Sequence, residues 1–225
     1  QDLMAARNRL SKLLLRRGIV YYGGTPWSRN HERWLRGQRF DDPALKMVYD
    51  TALDTVVAIT DRRDRLDAAI VAMAADSSFT AVVTRLGCLR GVSTLTAFGL
   101  AVEIGDWHRL TGRTIGAYLG LVPTEYSSGA TRTQGGLTRT GNTHARRLLI
   151  ESAWHHRKPY RPGEVMRRRW NAASPAARTR GQTANRRLHA RWLRFDERRK
   201  RPVVANAAIA RELAGWCWSL AVMDD

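Results

Sequence analysis

Cysteine and negative charge are scarce in this sequence, and a long apolar run is missing from it. Cys88 and Cys217 are the only cysteines in 225 residues; they stand far apart, without CxxC spacing and with few histidines nearby. A disulfide framework and a zinc site are therefore excluded as organising principles, no metal site is assigned, and reduced, buried thiols are expected. Asp and Glu number 20 against 38 Lys and Arg, which leaves a formal charge of +18 and a pI of about 11.3. So basic a balance points to a polyanionic partner, nucleic acid before any other. The longest apolar stretches, Ala97 to Val102 and Ala214 to Val222, are too short or too interrupted to span a bilayer, which sets a membrane aside. The chain opens without the basic, apolar and small-residue zones of a secretory leader, and Gln1 in first place suggests a segment starting in mid-protein. No repeat of fixed period is visible.

What is present reads as a mainly α chain, and an apolar content of 44% is enough for a core. Leu3, Leu10, Leu13 and Leu14 recur at helical spacing up to Arg17, and Gly18 supplies a stop. Gly23, Gly24 and Pro26 then make a turn into a short helix anchored by Trp27, His31 and Trp34. Asp41 or Asp42 caps a long amphipathic helix with Pro43 early in it, its stripe running from Leu45 through Val48, Tyr49, Val56, Ile59, Leu66 and Ile70 to Met73. Paired antiparallel with the first helix, it predicts a helical stalk or coiled-coil-like arm over 1–78, with Asp61, Arg62, Asp64 and Arg65 on a solvated face. A compact helical domain is expected over 79–225.

Within that second domain, 86–111 reads as helix, glycine turn, helix. This is similar to a helix-hairpin-helix, whose turn and helix N-terminus offer backbone N–H groups to a DNA phosphate. Arg90, Gly91, Ser93 and Thr94 are the candidate contacts, and Ser93 stands where the usual pattern has a second glycine; a plain helical hairpin remains the alternative. After a short helix ending at Pro123 comes a polar, glycine-rich loop over 123–136 that holds Ser127 and Ser128. It leads into a helix capped by Asn142 or Thr143. The remainder, 142–225, is strongly basic. Pro159, Pro162, Pro175 and Gly181 are expected to break it into short helices and loops. Arg167, Arg168, Arg169, Arg187, Arg191, Arg194 and Arg198 are its candidate nucleic-acid contacts, while Leu188, Trp192 and Phe195 pack on the other side of their helix.

Leu119-Gly-Leu-Val-Pro123, Tyr126-Ser-Ser-Gly129, Gly136-Leu-Thr-Arg-Thr-Gly-Asn142 and Arg146-Arg-Leu-Leu149 together resemble the C-terminal domain of insertion sequence one-ten family transposases. The opening Asp2 to Arg16 and the Trp27, His31, Trp34 spacing are similar to the segment joining that family's two halves. The resemblance implies a recombinase guided by a structured bridge RNA, with the serine before the glycine, here Ser128, as the nucleophile on DNA and Ser127 its nearest competitor. It further implies a RuvC-like half with acidic ligands for Mg2+, which this chain does not contain and without which its catalysis is incomplete. It also implies a homo-oligomer on DNA and a cytoplasmic, nucleoid-associated protein. A serine hydroxyl needs a base, a metal or a cationic field to act at neutral pH. Arg132, Arg139, Arg146 and Arg147 are the candidates for that field, and for offsetting phosphate charge. Two other readings stay open: a non-catalytic nucleic-acid-binding module or remnant, and a ribosomal or RNA-chaperone protein.

Overall fold

The computed structural model describes residues 2–128 and 131–224, with Arg132 described by its backbone alone. Gly129 of the serine loop and the Arg132 side chain thus lie outside the described residues. The chain is mainly helical and divides into two compact units, Gln1–Ala69 and Ile70–Asp225.

In the first unit, α1 (Asp2–Arg16) buries Ala6, Leu10 and Leu14 at spacings of four and ends where Gly18 turns to φ +71°. Helix α2 (Arg29–Arg36) is capped by Ser28, whose hydroxyl accepts from the His31 N–H. Helix α3 (Pro43–Ala75) starts with Pro43 in its first turn, where the missing N–H costs nothing, and with Asp42 accepting from the Ala44 N–H at 2.9 Å. Leu10, Leu14, Leu35, Tyr49 and Val56 form the core, and the buried Tyr49 hydroxyl donates to the Leu35 carbonyl at 2.8 Å. The apolar stripe expected along all of α3 is buried only in its first half: residues 61–66 are exposed, as are Leu66, Val71 and Met73. A partner of 15 residues spans about 22 Å, too little to cover a helix of 33 residues.

In the second unit, α4 (Thr80–Leu86), α5 (Thr94–Ile104), the one-turn α6 (Ile115–Tyr118), α7 (Thr143–Ala153), α8 (Glu164–Asn171), α9 (Pro175–Glu197) and α10 (Pro202–Ala221) surround one core. Helix α10 is its axis, packing on α4, α6, α7 and α9. Ala205, Ala210, Ala214 and Ala221 are buried along it, and such small side chains let neighbouring backbones approach. Leu188 and Trp192 of α9 are fully buried, each contributing about 2–3 kcal/mol of apolar burial.

The breaks expected in the basic region are fewer than its prolines and glycine suggested. Pro159 and Pro162 lie between helices and Pro175 follows a break as the first residue of α9, as expected, but α9 runs 23 residues straight through Gly181. The serine segment also differs: it is an antiparallel hairpin of β1 (Pro123–Ser128) and β2 (Thr131–Leu137). Among the described residues no single helix is long and apolar enough to cross a membrane.

Candidate nucleic-acid interface

The turn between α4 and α5 covers 87–93, so the helical hairpin starts earlier than expected, with its glycine turn where Leu86 was to begin a helix. Gly91 has φ +82°, and a Cβ there would run into the Ser152 carbonyl, so this position requires glycine twice over. Ser93, in place of the second glycine, is the N-cap of α5: its hydroxyl accepts from the Thr96 N–H at 3.2 Å. Thr94 follows as the first helical residue.

The turn is held from behind. Asn185, fully buried on α9, accepts from the Arg90 N–H at 2.8 Å and donates to the Cys88 carbonyl at 3.0 Å. The Arg90 guanidinium donates to the carbonyls of Lys158 and Pro159, both at 2.8 Å. Arg169 donates to the Val92 carbonyl. In front lies a cleft of about 490 Å³ lined by Arg90, Ser93, Thr96, His155, Arg161 and Arg169. Arg90 and Arg169 thus build the turn as much as they charge the cleft.

The hairpin is anchored at its base by the segments that flank it. Gly120 and Gly141 adopt φ +62° and +72°, and a Cβ on either would meet backbone, of Thr140 and of Tyr118 respectively. The Thr138 N–H donates to the Val122 carbonyl at 2.9 Å, and the Arg139 N–H, at φ +57°, donates to the Gly120 carbonyl at 3.3 Å. The Arg146 guanidinium closes the base, donating to the carbonyls of Leu119 at 3.0 Å and Thr140 at 2.7 Å. Asn142 caps α7 through the Ala145 N–H at 2.9 Å and donates to the Glu103 carboxylate at 2.6 Å. The other Glu103 oxygen lies 2.6 Å from His144 Nδ1. The Asn142 and His144 hydrogen bonds hold the Glu103 carboxyl below its usual range.

Ser127 and Ser128 are exposed at the far end, paired in register with Arg132 and Thr131. Strand alternation separates them: Ser128 shares a face with Tyr126, Ser127 with Glu125. Ser128 Oγ lies 2.9 Å from Thr131 Oγ1, whereas Ser127 Oγ donates to Glu125 Oε1 at 2.8 Å. Five residues of strand put Ser128 about 17 Å from Pro123 at the base. Arg139 and Arg146 are therefore not gathered around Ser128 by this chain. Arg147 instead pairs with Glu151 at 2.9 Å on α7. Of the remaining candidates, Arg168 pairs with Glu164, Arg187 and Arg191 with Glu212, and Arg167, Arg194 and Arg198 are exposed.

Residues 83–168 match the model of the transposase IS116/IS110/IS902 family, a stretch that includes the turn, α5, the hairpin and α7. Over that stretch the chain is similar to these transposases. The protein y4qE of Sinorhizobium fredii, which carries a transposase name, is 35% identical over 222 residues, covering 98% of this chain and 54% of the relative. The transposase for insertion sequence element IS1533 of Leptospira borgpetersenii is 26% identical over 203 residues, covering 89% and 59%. That for element IS1328 of Yersinia enterocolitica is 38% identical over 84 residues, covering 36% and 25%. The chain thus spans little more than half the length of the first two curated relatives.

Sequence reasoning missed four groups in this fold: Glu103, His144, Asn185 and Glu212. Each acts through a partner that is remote in sequence or offers no motif, as with Asn185 and Cys88, 97 positions apart. The Gly-Asn pair at Gly141 and Asn142 was the one signal pointing toward Glu103.

Proposed function

We propose that this chain is the part of an IS110-family transposase that grips DNA under the direction of a structured guide RNA and offers Ser128 to a DNA phosphodiester. The carrying observation is the Ser128 hydroxyl, exposed at the end of a two-stranded arm whose base is clamped by Gly120, Gly141 and Arg146. In the proposed step Ser128 Oγ attacks phosphorus and loses its proton. The Oγ–P bond forms as the P–O bond to the neighbouring nucleotide breaks, and that oxygen leaves with a proton. Attack by the hydroxyl of a second strand reverses the exchange and rejoins DNA.

Thr131 cannot serve as base, and Arg139 and Arg146 lie at the other end of the hairpin, so in this reading the site is completed by groups beyond these described residues. A RuvC-like region holding Mg2+ in the remaining length of the protein, and further copies on DNA, suit that need. Charge on the transferring phosphate would then be offset by residues brought to the tip, as phosphoryl transfer requires.

The test is covalent trapping with the full-length protein, guide RNA and labelled DNA. Ser128→Ala is expected to abolish the adduct and Ser127→Ala to leave it. An undiminished adduct in Ser128→Ala overturns the assignment, and its loss in Ser127→Ala alone moves the role to the serine beside Glu125. A second reading, a nucleic-acid-binding module without chemistry, is favoured by the distance between the tip and the basal guanidinium groups. It would be upheld by salt-dependent binding with no adduct in any variant.

A further inference from the structure

A basic groove outside the hairpin and the α4–α5 turn runs along α9 and α10, with a volume of about 720 Å³. Arg113, Arg187, Arg191, Arg211, Glu212 and Trp216 line it. Its floor is bare backbone: at Gly116 a Cβ would come within 3.2 Å of the Arg211 stem, and at Gly112 within 3.3 Å of the Trp218 ring. Trp216 also borders a second hollow of about 710 Å³ that is lined by Thr179, Arg180 and Thr183, so the indole is common to both.

The α9 wall is regular. Arg180, Thr183, Arg187 and Arg191 follow at spacings of three and four, which puts them on one helix face over about 16 Å. Glu212 accepts from Arg187 Nε at 2.6 Å and also from Arg191, while Arg180 donates to Ser219. The Glu212 side chain is only 11% exposed, against 63% for Arg187. Its carboxylate therefore holds both guanidinium groups from below and leaves further donors facing out. Burial alone would raise the Glu212 carboxyl, but the Arg191 and Arg187 hydrogen bonds hold it below its usual range and so ionised. Four guanidinium groups in the groove and Arg180 in the neighbouring hollow, against one carboxylate, give this face a strong positive field.

The geometry points to a binding track for a single-stranded nucleic-acid segment, with its phosphates on Arg113, Arg187, Arg191 and Arg211 and a base or sugar against Trp216. Guanidinium groups held in place lose little freedom on meeting a phosphate. An indole set between cations is what an unpaired strand uses and a duplex backbone does not. The assignment rests on the reading above that the chain handles nucleic acid. RNA and DNA strands share the chemistry, so the probes distinguish them.

The experiment is fluorescence anisotropy of the full chain with oligo-rU, oligo-dT and a duplex of equal length across a salt series. Arg113→Glu with Arg211→Glu is expected to weaken both single strands more than tenfold and to lower the log-log salt slope by about 1.4, at about 0.7 for each phosphate no longer neutralised. Trp216→Leu is expected to weaken single strands with the slope unchanged. Tighter binding of oligo-rU assigns the track to RNA, tighter oligo-dT to DNA, and equal affinity to their common backbone. The same charge change on α3, Arg62→Glu with Arg65→Glu, should leave the slope unaltered; an equal fall there shows bulk charge and overturns the groove. Equal loss of duplex binding overturns the single-strand assignment. If wild type binds but the groove variants bind just as well, the groove alone is wrong. If wild type binds none of the probes, the groove and the nucleic-acid reading fall together.

Discussion

Gly181 sits in the middle of α9 with no room for a methyl group: a Cβ there would lie 2.6 Å from the Cys88 side chain and 2.9 Å from its carbonyl. In an open helix, replacing glycine with alanine gains about 0.5–1 kcal/mol. Here the forced approach costs about 1–3 kcal/mol, because backbone cannot give way as a side chain does. Gly181→Ala is thus expected to lower stability by about 1–2 kcal/mol, read as a lower urea midpoint at constant m; a raised midpoint would disprove the close approach. From sequence this glycine read as a break, since local propensity carries no information on which segment passes within 3 Å, here the turn at Cys88. Ser93 misled in the opposite direction. It departs from the helix-hairpin-helix pattern, yet it is the side chain that starts α5. The serine pair also changes character at this scale. One position of shift along β1 moves a hydroxyl from the face of Tyr126 to that of Glu125, a distinction invisible until the segment was known to be a strand.

Most of the helices could be read in advance, because α1, α9 and α10 carry apolar residues at helical spacing and α1, α2 and α3 carry start or stop residues. The hairpin could not. Thr124, Glu125, Tyr126 and Ser127, with Glu125 and Tyr126 facing Gln134 and Thr133, alternate without an apolar face, so a period of two had nothing to mark it. Two strands alone are marginal in water, and this pair lacks a core beneath it. Its persistence must come from the base, where Arg146 spans the Leu119 and Thr140 carbonyls and so bridges the two conspicuous motifs of the chain. Hydrogen bonds from a charged donor contribute about 1.5–3 kcal/mol. In Arg146→Ala, amide exchange over 123–128 and 131–137 should accelerate at least tenfold, with α5 and α10 changing much less. Uniform acceleration would mean that Arg146 supports the whole unit, and no change would mean that the close packing at Gly120 and Gly141 suffices.

The molecule as a whole should be acid-labile well above the carboxylate range, and His156 is the reason. It is fully buried at the end of α7, in a 3-10 turn beside Arg90, His155 and His189. Burial, reinforced by the positive Arg90, pushes the imidazole down to about 3, so the folded state keeps it neutral. In the unfolded chain the same ring takes a proton near pH 6.5. Between pH 6.5 and about 3 the unfolded state therefore binds more protons. Stability that is complete above pH 6.5 must be lost as pH falls, by up to about 1.4 kcal/mol per unit. Glu103 and Glu212, both held below their usual range, act in the same direction but only once pH approaches 4.5. The net charge of +18 grows on acidification, which adds self-repulsion without changing the sign. The window from pH 6.5 to 5 thus belongs to His156 and, in the first unit, to the buried His31, whose imidazole is also lowered by burial against the opposing Glu32 charge. His156→Leu, similar in volume and without a proton to bind, should lessen the fall of the urea midpoint across that window and leave the fall below pH 4.5 intact. If the variant kept the full slope between pH 6.5 and 5, the loss would have to be assigned to His31 and the rising charge instead.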